Sequence, residues 1–336
     1  MSGPGQHMRA EIAEAPAVFA ATLTGGLSAQ TLAALNPGDL RAFYTIARGS
    51  SDAAANILSY EFMRETGKPM TSLPPSVFSV GRGVDMAGTL SLVVSQSGAS
   101  ADLVRSAQGA RERGGRVIAL VNQAGSAVEA AAHLTLPIGA GPELAVPATK
   151  SVIGSVAAGM VLLAALVPAY AARAAQSAQA MAALDGKAHP QRPALLSALL
   201  RAQHVYVIGR DTGFGAAQEL ALKLKETCAL HAEAYSSSEV LHGPLQLVTK
   251  PLLILILDTG QPDVQDSLDI AEARFRAAGG DVLRLCPADV DATGLTPAAA
   301  AAVLLYLTYP LVLDLALALG FDPDRPATLS KVTQTT

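Results

Sequence analysis

The residues best suited to bind a small anion lie between Leu90 and Leu103. At the centre of this stretch, Ser95-Gln96-Ser97-Gly98-Ala99-Ser100 follows an apolar run and precedes an amphipathic pattern, which predicts a strand, a tight loop and a helix N-terminus. Free N–H groups at a helix N-terminus bind anions, and hydroxyls add neutral donors. Because the loop has no Lys, Arg or GKS/GKT sequence, it suggests one phosphate monoester rather than a triphosphate. An ordinary serine-rich helix cap has the same pattern.

A second group of residues could move protons. Lys223 and Glu226 stand three residues apart near the end of a helical pattern, which puts them on one helix face. A carboxylate beside an ammonium stays ionised and can serve as a general base, although a surface ion pair has the same spacing. His242 precedes Gly-Pro at a predicted turn and could be either a proton shuttle or a structural residue.

Other chemistry is only weakly indicated. His231-x-Glu233 is similar to the H-x-E of zinc deaminases, but no P-C-x-x-C follows, and no other His/Cys cluster has metal-ligand spacing. Gly213-x-Gly215-x-x-Gln218 lacks the third glycine of a dinucleotide fingerprint. We therefore expect neither a metal nor another cofactor.

An internal repeat would position these loops. An apolar strand that runs into a glycine and hydroxyl loop occurs at 43–51 and again at 205–213, so that Arg48 and Arg210 are 162 residues apart. Each half continues with a helix (53–66, 215–227), then a second strand, loop and helix, then a third strand (116–121, 281–285). This βαβαβ order predicts parallel sheets covered on both faces, with ligands at the carboxyl ends of the strands.

The two halves differ at the loop that matters. Where the first half has Ser95-Gln-Ser-Gly, the second has Leu257-Asp258-Thr259-Gly260, and a carboxylate at that place would repel phosphate. The sequence therefore predicts that the first half holds the anion and the second contributes other groups.

Composition excludes some classes of partner. The 336 residues have room for two domains, half of them are hydrophobic, and the net charge of −4 without a basic run argues against nucleic acid. Two distant cysteines fit a reducing cytoplasm, and the first 16 residues lack the apolar core of a signal peptide. We therefore predict a cytoplasmic protein.

Two long apolar segments need an explanation. Residues 151–172 carry no acidic or basic side chain, and residues 298–319 are interrupted only by Asp314. A membrane-spanning helix and a buried helix of an α/β protein both have such long apolar sequences. Because flanking basic clusters are missing, we expect buried helices and no membrane partner.

Several motifs in order resemble one family across nearly the whole chain. They are Met8-x-x-Glu11-Ile-x-Glu14-x-Pro16, Thr22-Leu-Thr-Gly25, Arg48-Gly-Ser-Ser51, Ser95-Gln-Ser-Gly-x-Ser100, Val146-x-Ala-Thr-Lys150, Lys223-Leu-Lys-Glu226, His231-Ala-Glu-Ala-Tyr235, Glu239-x-x-His242-Gly-Pro244 and Leu329-Ser-Lys331-Val-Thr333. The chain thus resembles tandem SIS (sugar isomerase) proteins, in particular the isomerase portion of glutamine–fructose-6-phosphate amidotransferase and the SIS-type glucosamine-6-phosphate deaminases.

The resemblance implies a fold and a domain plan. The fold is α/β, with two duplicated SIS domains that are each a parallel sheet flanked by helices, in a flavodoxin-like or Rossmann-like sandwich. The expected parts are an N-terminal helical segment (1–35), a phosphate-binding domain (36–175), a linker (176–195), a domain with the catalytic base (196–321) and a tail that closes the site (322–336).

The resemblance also implies roles for individual residues. The sugar phosphate would be held by Ser51, Ser95, Gln96, Ser97 and Ser100, and Val146 and Ala148 would contact the substrate. Glu226 would move a proton between C1 and C2, and Lys223 would support the open-chain form. His242, reaching across from the neighbouring subunit of a homodimer, would open the sugar ring, and Lys331 would lie on the closing tail. This chemistry needs no metal.

Some positions depart from the amidotransferase. Met1-Ser2 leads directly into the isomerase opening, so we expect no glutaminase domain and no glutamine-derived nitrogen. Ala148 stands where the amidotransferase has serine, and Pro326-Ala327-Thr328 replaces a Pro-Arg-Gly/Asn run, which leaves sugar and amine specificity open.

The function expected from the resemblance is a metal-independent phosphosugar isomerase and deaminase that converts glucosamine 6-phosphate to fructose 6-phosphate and ammonia. An isomerase without deamination and a fructosamine-phosphate deglycase would use the same parts. A sugar-phosphate sensor without turnover would need only the phosphate loop.

Overall fold

The computed structural model describes residues 3–33, 35 and 37–331. Two separate parallel sheets form its framework, one in each half of the sequence. The first contains strands β1 (Ala42–Ile46), β2 (Met70–Ser72), β3 (Thr89–Ser95), β4 (Arg116–Val121) and β5 (Leu134–Pro137). The second contains β6 (His204–Gly209), β7 (His231–Ser236), β8 (Leu253–Leu257) and β9 (Asp281–Leu285).

Helices cover both sheets and connect them. In the first half they are α1 (Gln6–Thr24), α2 (Ala29–Ala33), α3 (Gly49–Thr66), α4 (Ser76–Ser79), α5 (Ala101–Glu112), α6 (Ala127–Ala131) and α7 (Lys150–Leu166). The later helices are α8 (Pro168–Ala182), α9 (Arg192–Arg201), α10 (Thr212–Cys228), α11 (Gln265–Ala277) and α12 (Pro297–Ala318). The predicted α/β class with two duplicated, helix-flanked parallel sheets is confirmed.

The strand order places a crevice in each sheet. The first sheet has the order β2-β1-β3-β4-β5 and the second β7-β6-β8-β9, and neighbouring strands are parallel throughout. In both sheets the chain reverses its direction of winding beside the first strand, between β1 and β3 and between β6 and β8. Loops at the carboxyl ends of these two strands diverge, and the resulting crevice is where open α/β sheets bind ligands.

Continuous apolar runs explain why these strands form. All seven residues of β3 are buried, as are the five of β8, because helices cover both faces of the sheets. The two apolar segments noted in the sequence are helical. Helix α7 is buried from Lys150 through Leu163. Helix α12 is long and apolar enough to cross a membrane, but 83% of its apolar window is buried inside the protein.

Helices α3 and α10 pack against each other and join the two halves. A Cβ atom at Gly215 would lie 2.6 Å from the Ile57 side chain and 2.9 Å from the Ala53 carbonyl oxygen, so only glycine permits this approach. Gly215 of the Gly213-x-Gly215 sequence therefore serves helix packing. The close approach sets α10 beside the first sheet, which matters for the site described next.

Some elements differ from the predicted ones. Helix α3 begins at Gly49 rather than at residue 53, because the hydroxyl residues Ser50 and Ser51 form its first turn instead of a loop. The segment 176–195, predicted as a linker, contains the end of α8 to Ala182 and the start of α9 from Arg192, with 183–191 between the two helices.

Candidate functional site

A cavity of about 330 Å³ opens at the carboxyl edge of the first sheet, in the crevice between β1 and β3. Its walls come from both halves of the chain and from the C-terminal segment. They are formed by Arg48, Gly49, Ser50, Ser51, Val94, Ser95, Gln96, Ser97, Ser100, Leu103, Val146, Ala148, Lys223, Glu226, Leu329, Ser330 and Lys331. Every predicted site residue except His242 lines this one cavity.

One end of the cavity is built to receive an anion. Helices α3 and α5 both begin there, and among the described residues no side chain caps either N-terminus. In their first turns the amides of Gly49, Ser50, Ala101 and Asp102 have no hydrogen-bond partner among the described residues, whereas the Leu103 amide is bonded to the Asp102 side chain. The cavity also has hydroxyls, which come from Ser51, Ser97 and Ser100. The Oγ of Ser95 is nearly buried and accepts a hydrogen bond from the Gly98 amide at 3.1 Å, so this hydroxyl also holds the loop in shape.

The other end of the cavity carries charged groups on α10. The Nζ of Lys223 donates to an Oε of Glu226 at 2.5 Å and to the Oγ of Ser50 at 2.9 Å. Lys223 is fully buried, whereas a quarter of the Glu226 side chain is exposed toward the cavity. The Lys223–Glu226 pair that the helical spacing suggested is thus present, and it is not an ordinary surface pair.

A second carboxylate, Glu219, lies behind this pair. It is fully buried, 3.5 Å from the Nζ of Lys223, and it accepts a hydrogen bond from the Tyr309 hydroxyl at 3.1 Å. Burial raises the pKa of Glu219 to about 7, against the opposing effect of Lys223. Burial alone would lower the pKa of Lys223, but Glu219 and Glu226 outweigh it and raise that pKa, so the ammonium keeps its charge.

The last described residues, Leu329 to Lys331, line the cavity and contact the first half of the chain. The Nζ of Lys331 donates to the Ala145 carbonyl oxygen at 2.6 Å and pairs with Glu143 at 3.2 Å. Glu143 is buried, and it also accepts a hydrogen bond from the amide of Thr149 at 3.0 Å. The loop that carries Val146 and Ala148 is therefore tied to the tail by the same carboxylate that binds the start of α7.

The tail is also anchored at Asp324, before the residues that line the cavity. Asp324 accepts hydrogen bonds from the amides of His7 and Met8 at the start of α1, at 2.9 and 2.8 Å. The amide of Val146 donates to the Asp324 carbonyl oxygen at 3.1 Å. The last part of the Leu329–Thr333 motif, Val332 and Thr333, lies outside the described residues.

His242 lies elsewhere on the surface. It is exposed in a turn between two short 3-10 helices, Glu239–Leu241 and Pro244–Thr249, and it does not line the cavity of its own chain. Its participation therefore depends on a second copy of the chain and stays a prediction.

Sequence reasoning missed several residues of the site. Ser50 stands between residues that the motif already singled out, and Glu219 lies four residues before Lys223, a helical spacing that could have revealed it. Glu143 and Tyr309 gave no local signal, because their partners Lys331 and Glu219 are distant in sequence.

The matched crevice of the second half is filled by the protein's own carboxylates. Asp211 occupies the position matched to Gly49; its carboxylate accepts the Thr212 amide at 2.7 Å and pairs with Arg64 at 2.8 Å. Asp258 follows β8 and accepts the Gly260 amide at 2.7 Å. Asp211 binds an amide whose counterpart in the first half, that of Ser50, has no partner among the described residues, whereas the Gly98 amide that matches Gly260 is bonded to the Ser95 hydroxyl.

The described residues contain no group of three or more His, Cys, Asp or Glu side chains arranged to hold a metal ion. Both cysteines are free; Cys228 is buried and Cys286 is partly exposed.

Comparison with known proteins agrees with this architecture. The profile of the SIS domain matches residues 39–165 and 198–294. The chain is 33% identical, over 98% of its length, to a glutamine–fructose-6-phosphate aminotransferase (isomerizing) of Symbiobacterium thermophilum. It covers 59% of that relative, so it spans little more than half the length of the curated relatives it matches.

Solved structures show the same fold. A protein of Silicibacter pomeroyi DSS-3, provisionally named a phosphosugar isomerase, superposes with a TM-score of 0.82 at 32% identity, covering 94% of this chain and 99% of that one. A glucosamine-6-phosphate deaminase of Thermotoga maritima superposes with a TM-score of 0.74 at 20% identity, covering 98% and 100%. At the latter identity the likeness shows a shared fold.

Proposed function

The chain belongs to the SIS domain family, and on that premise we propose that it is a deaminating phosphosugar isomerase. In this proposal it converts glucosamine 6-phosphate to fructose 6-phosphate and ammonia. The observation that carries the proposal is the cavity itself, which is lined at one end by serine hydroxyls and two helix N-termini and at the other by the Lys223–Glu226 pair. A 6-phosphorylated open-chain sugar has its phosphate and its reacting carbons at opposite ends, as this arrangement requires.

The phosphate would lie against the N-termini of α3 and α5. Its oxygens would accept hydrogen bonds from first-turn N–H groups and from the hydroxyls of Ser51, Ser97 and Ser100, with Ser95 holding the loop and the Gln96 amide beside it. This end fixes C6 of the sugar, and the chain of the sugar then extends toward α10.

Glu226 would be the base that acts on C2. It takes the C2 proton of the open-chain aldose, so that the C1–C2 enolamine forms, and it returns the proton to C1, which leaves an imine at C2. Water then adds to the imine carbon, and ammonia leaves as the ketone forms. Lys223 stands against Glu226 and can stabilise charge on the oxygen at C1.

Lys331 and the loop of Val146 and Ala148 would cover the sugar. Their contact through Glu143 holds the tail against this loop, and the tail brings the Lys331 ammonium to the cavity wall. Both cysteines are free thiols, and we propose that the reaction takes place in the reducing cytoplasm.

His242 would complete the site of a neighbouring subunit in a homodimer and open the sugar ring. The test is to mix an inactive His242→Ala chain with an inactive Glu226→Gln chain and to allow subunit exchange. About half of the dimers are then mixed and each has one intact site, so roughly a quarter of wild-type activity should return if sites are independent. No recovery despite demonstrated exchange would mean that His242 serves its own chain or takes no part.

The experiment that tests the proposed reaction measures ammonia and ketose phosphate together over a small panel of amino-sugar phosphates. Glucosamine without a phosphate is the matched control. Equal amounts of ammonia and fructose 6-phosphate from glucosamine 6-phosphate support deamination. Ketose phosphate without ammonia from an aldose phosphate would instead make the protein a simple isomerase, and release of an amino acid from a fructosamine phosphate would make it a deglycase.

A sugar-phosphate sensor is the second candidate. It is favoured by the position of His242, which lies outside the cavity of its own chain. A sensor would bind glucosamine 6-phosphate by calorimetry and yield no product with any member of the panel.

A further inference from the structure

Arg48 stands at the anion-binding end of the cavity and has no part in the function proposed above. It follows β1, immediately precedes α3, and lines the cavity. Its Nε donates to an Oδ of Asp102 at 3.2 Å, and about half of the side chain is exposed. Asp102 is fully buried in the first turn of α5, where it also accepts the Leu103 amide at 2.9 Å. A buried carboxylate thus fixes the guanidinium between the two helix N-termini.

The two terminal nitrogens of Arg48 are the donors that remain. Within the described part of the chain, the bond from Nε to Asp102 is the hydrogen bond that its side chain makes. The other cations of the cavity are engaged, Lys223 with Glu226 and Lys331 with Glu143. The nearby carboxylate of Asp52 accepts from the Ser72 hydroxyl at 3.2 Å. Arg48 therefore brings a pair of unbonded N–H groups and a positive charge to the cavity.

The matched arginine of the second half behaves differently. The Nη1 of Arg210 donates to the hydroxyls of Ser236 and Ser238 at 3.0 and 2.6 Å. Helix α11 begins at Gln265 as α5 begins at Ala101, so the counterpart of Asp102 is Asp266. Among the described residues, however, no hydrogen bond joins Asp266 to Arg210. Arg210 is thus bonded through a terminal nitrogen, whereas Arg48 is bonded through Nε. Only the arrangement of Arg48 leaves the terminal nitrogens for a ligand.

We propose that Arg48 is a phosphate-binding residue, whose two terminal nitrogens contact the phosphate dianion while Asp102 holds Nε. This rests on the proposed function, because it supposes that the cavity takes a phosphate monoester. A guanidinium presents parallel donors that match two phosphate oxygens, and hydroxyl and amide donors alone cannot neutralise the second negative charge. Arg48 would therefore set the preference for phosphorylated over free sugars.

The test titrates the purified protein with inorganic phosphate and with glucosamine 6-phosphate in a calorimeter. Arg48→Gln should weaken both affinities by about tenfold or more, the usual effect of losing a charge-assisted hydrogen bond. Arg48→Lys keeps the charge without the fork, and should lose less affinity than Arg48→Gln. Arg210→Gln is the matched control and should bind within twofold of wild type. Thermal unfolding of each variant checks that the fold is intact, and Arg48→Lys serves if Arg48→Gln does not fold.

The outcomes separate this proposal from the proposed function. Weakened binding in Ser97→Ala but unchanged binding in both Arg48 variants would overturn the role of Arg48 and leave the phosphosugar site standing. Equal weakening by Arg48→Gln and Arg210→Gln would also overturn it, because the effect would then be general charge. If wild type binds neither inorganic phosphate nor the phosphosugar, both proposals fall.

Discussion

Gly49 and Asp211 stand at matched positions of the two halves and share a left-handed backbone, with φ of 54° and 55°. In the first half the glycine leaves the start of α3 open to the cavity. In the second, a carboxylate at the same place caps α10 and pairs with Arg64. The comparison shows that one matched side chain decides whether the protein itself caps the helix that follows, and we propose that the uncapped helix start receives the ligand.

The same contrast holds at the second loop of each crevice. Ser97 lies half-buried in the cavity, whereas Asp258 occupies the second loop of the other half and is tied to Arg284 at 2.9 Å. The filled crevice has become part of the structure, and its helix α10 instead supplies Lys223 and Glu226 to the open one. Three changes at matched positions can break or sharpen this comparison, and a fourth tests the stability of the helix α3 that carries Gly49.

Gly49→Asp places the residue of the second half into the first and should have the largest effect. The site has room, since the nearest atom to an added Cβ is 3.9 Å away on Leu222. A carboxylate there would repel phosphate, and like charges in contact cost several kcal/mol, so phosphosugar affinity should fall by at least about a hundredfold. Gly49→Ala carries the same backbone cost without charge and is the control. Equal affinities of the two variants in calorimetry would contradict the comparison.

The buried carboxyl of Glu61 on α3 predicts a pH dependence of stability. It accepts the Tyr170 hydroxyl and the Ala298 amide, and burial raises its pKa from 4.5 to about 7. The folded protein therefore holds a proton that the unfolded chain has released between these pH values. The contribution of the protonated Glu61 carboxyl to the free energy of unfolding is fully present below pH 4.5. It is lost as the pH rises through 7, and the loss is roughly 3 kcal/mol at most.

Denaturant unfolding at pH 5, 6, 7 and 8 measures this effect. In Glu61→Gln the decrease in unfolding free energy between pH 5 and pH 8 should be smaller than in wild type, whatever the absolute stability. The turnover profile should not change, because Glu61 lies outside the cavity. If the unfolding free energy of Glu61→Gln falls between pH 5 and pH 8 as much as that of wild type, groups other than Glu61 cause the pH dependence.

Ser97→Ala should raise KM for a sugar phosphate more than tenfold and lower turnover less, because loss of one hydrogen bond to a charged group costs about 1.5–3 kcal/mol. Ser95→Ala should act in the same direction, since its hydroxyl also shapes the loop. Thr259→Ala changes the residue matched to Ser97 in the filled crevice and should leave KM within twofold. Steady-state kinetics measures KM for the three variants. An unchanged KM in both serine variants would contradict the assignment of the phosphate to this end of the cavity.

Asp211→Gly is the reverse exchange and should have the smallest effect. Glycine relieves the left-handed backbone, while the cap on Thr212 and the pair with Arg64 are lost, so these opposing effects should leave a net change within about 1 kcal/mol. KM should stay as in wild type, because Asp211 is not among the residues that line the cavity. A large rise in KM would mean that the second crevice also takes part in binding.

Much of this arrangement could be predicted from local patterns. Strands β4 and β9 run over the predicted residues, and the hydroxyl loop and the Lys223–Glu226 pair follow from short-range spacing. What escaped depends on contacts between distant segments. The tie between Lys331 and Glu143 joins residues 188 apart, and Arg48 and Asp102 are 54 apart. No periodicity records such pairs, so only the folded chain reveals them.

The central claim is that the first half binds the phosphate of a sugar whose C2 proton is moved by Glu226 of the second half. The most direct measurement incubates the protein with glucosamine 6-phosphate in D2O and follows deuterium in the recovered sugar by mass spectrometry. Wild type should introduce deuterium, whereas Glu226→Gln, which keeps the shape and loses only the base, should introduce none while binding the ligand within a few-fold by calorimetry. Deuterium incorporation by Glu226→Gln at a rate near that of wild type would contradict the account.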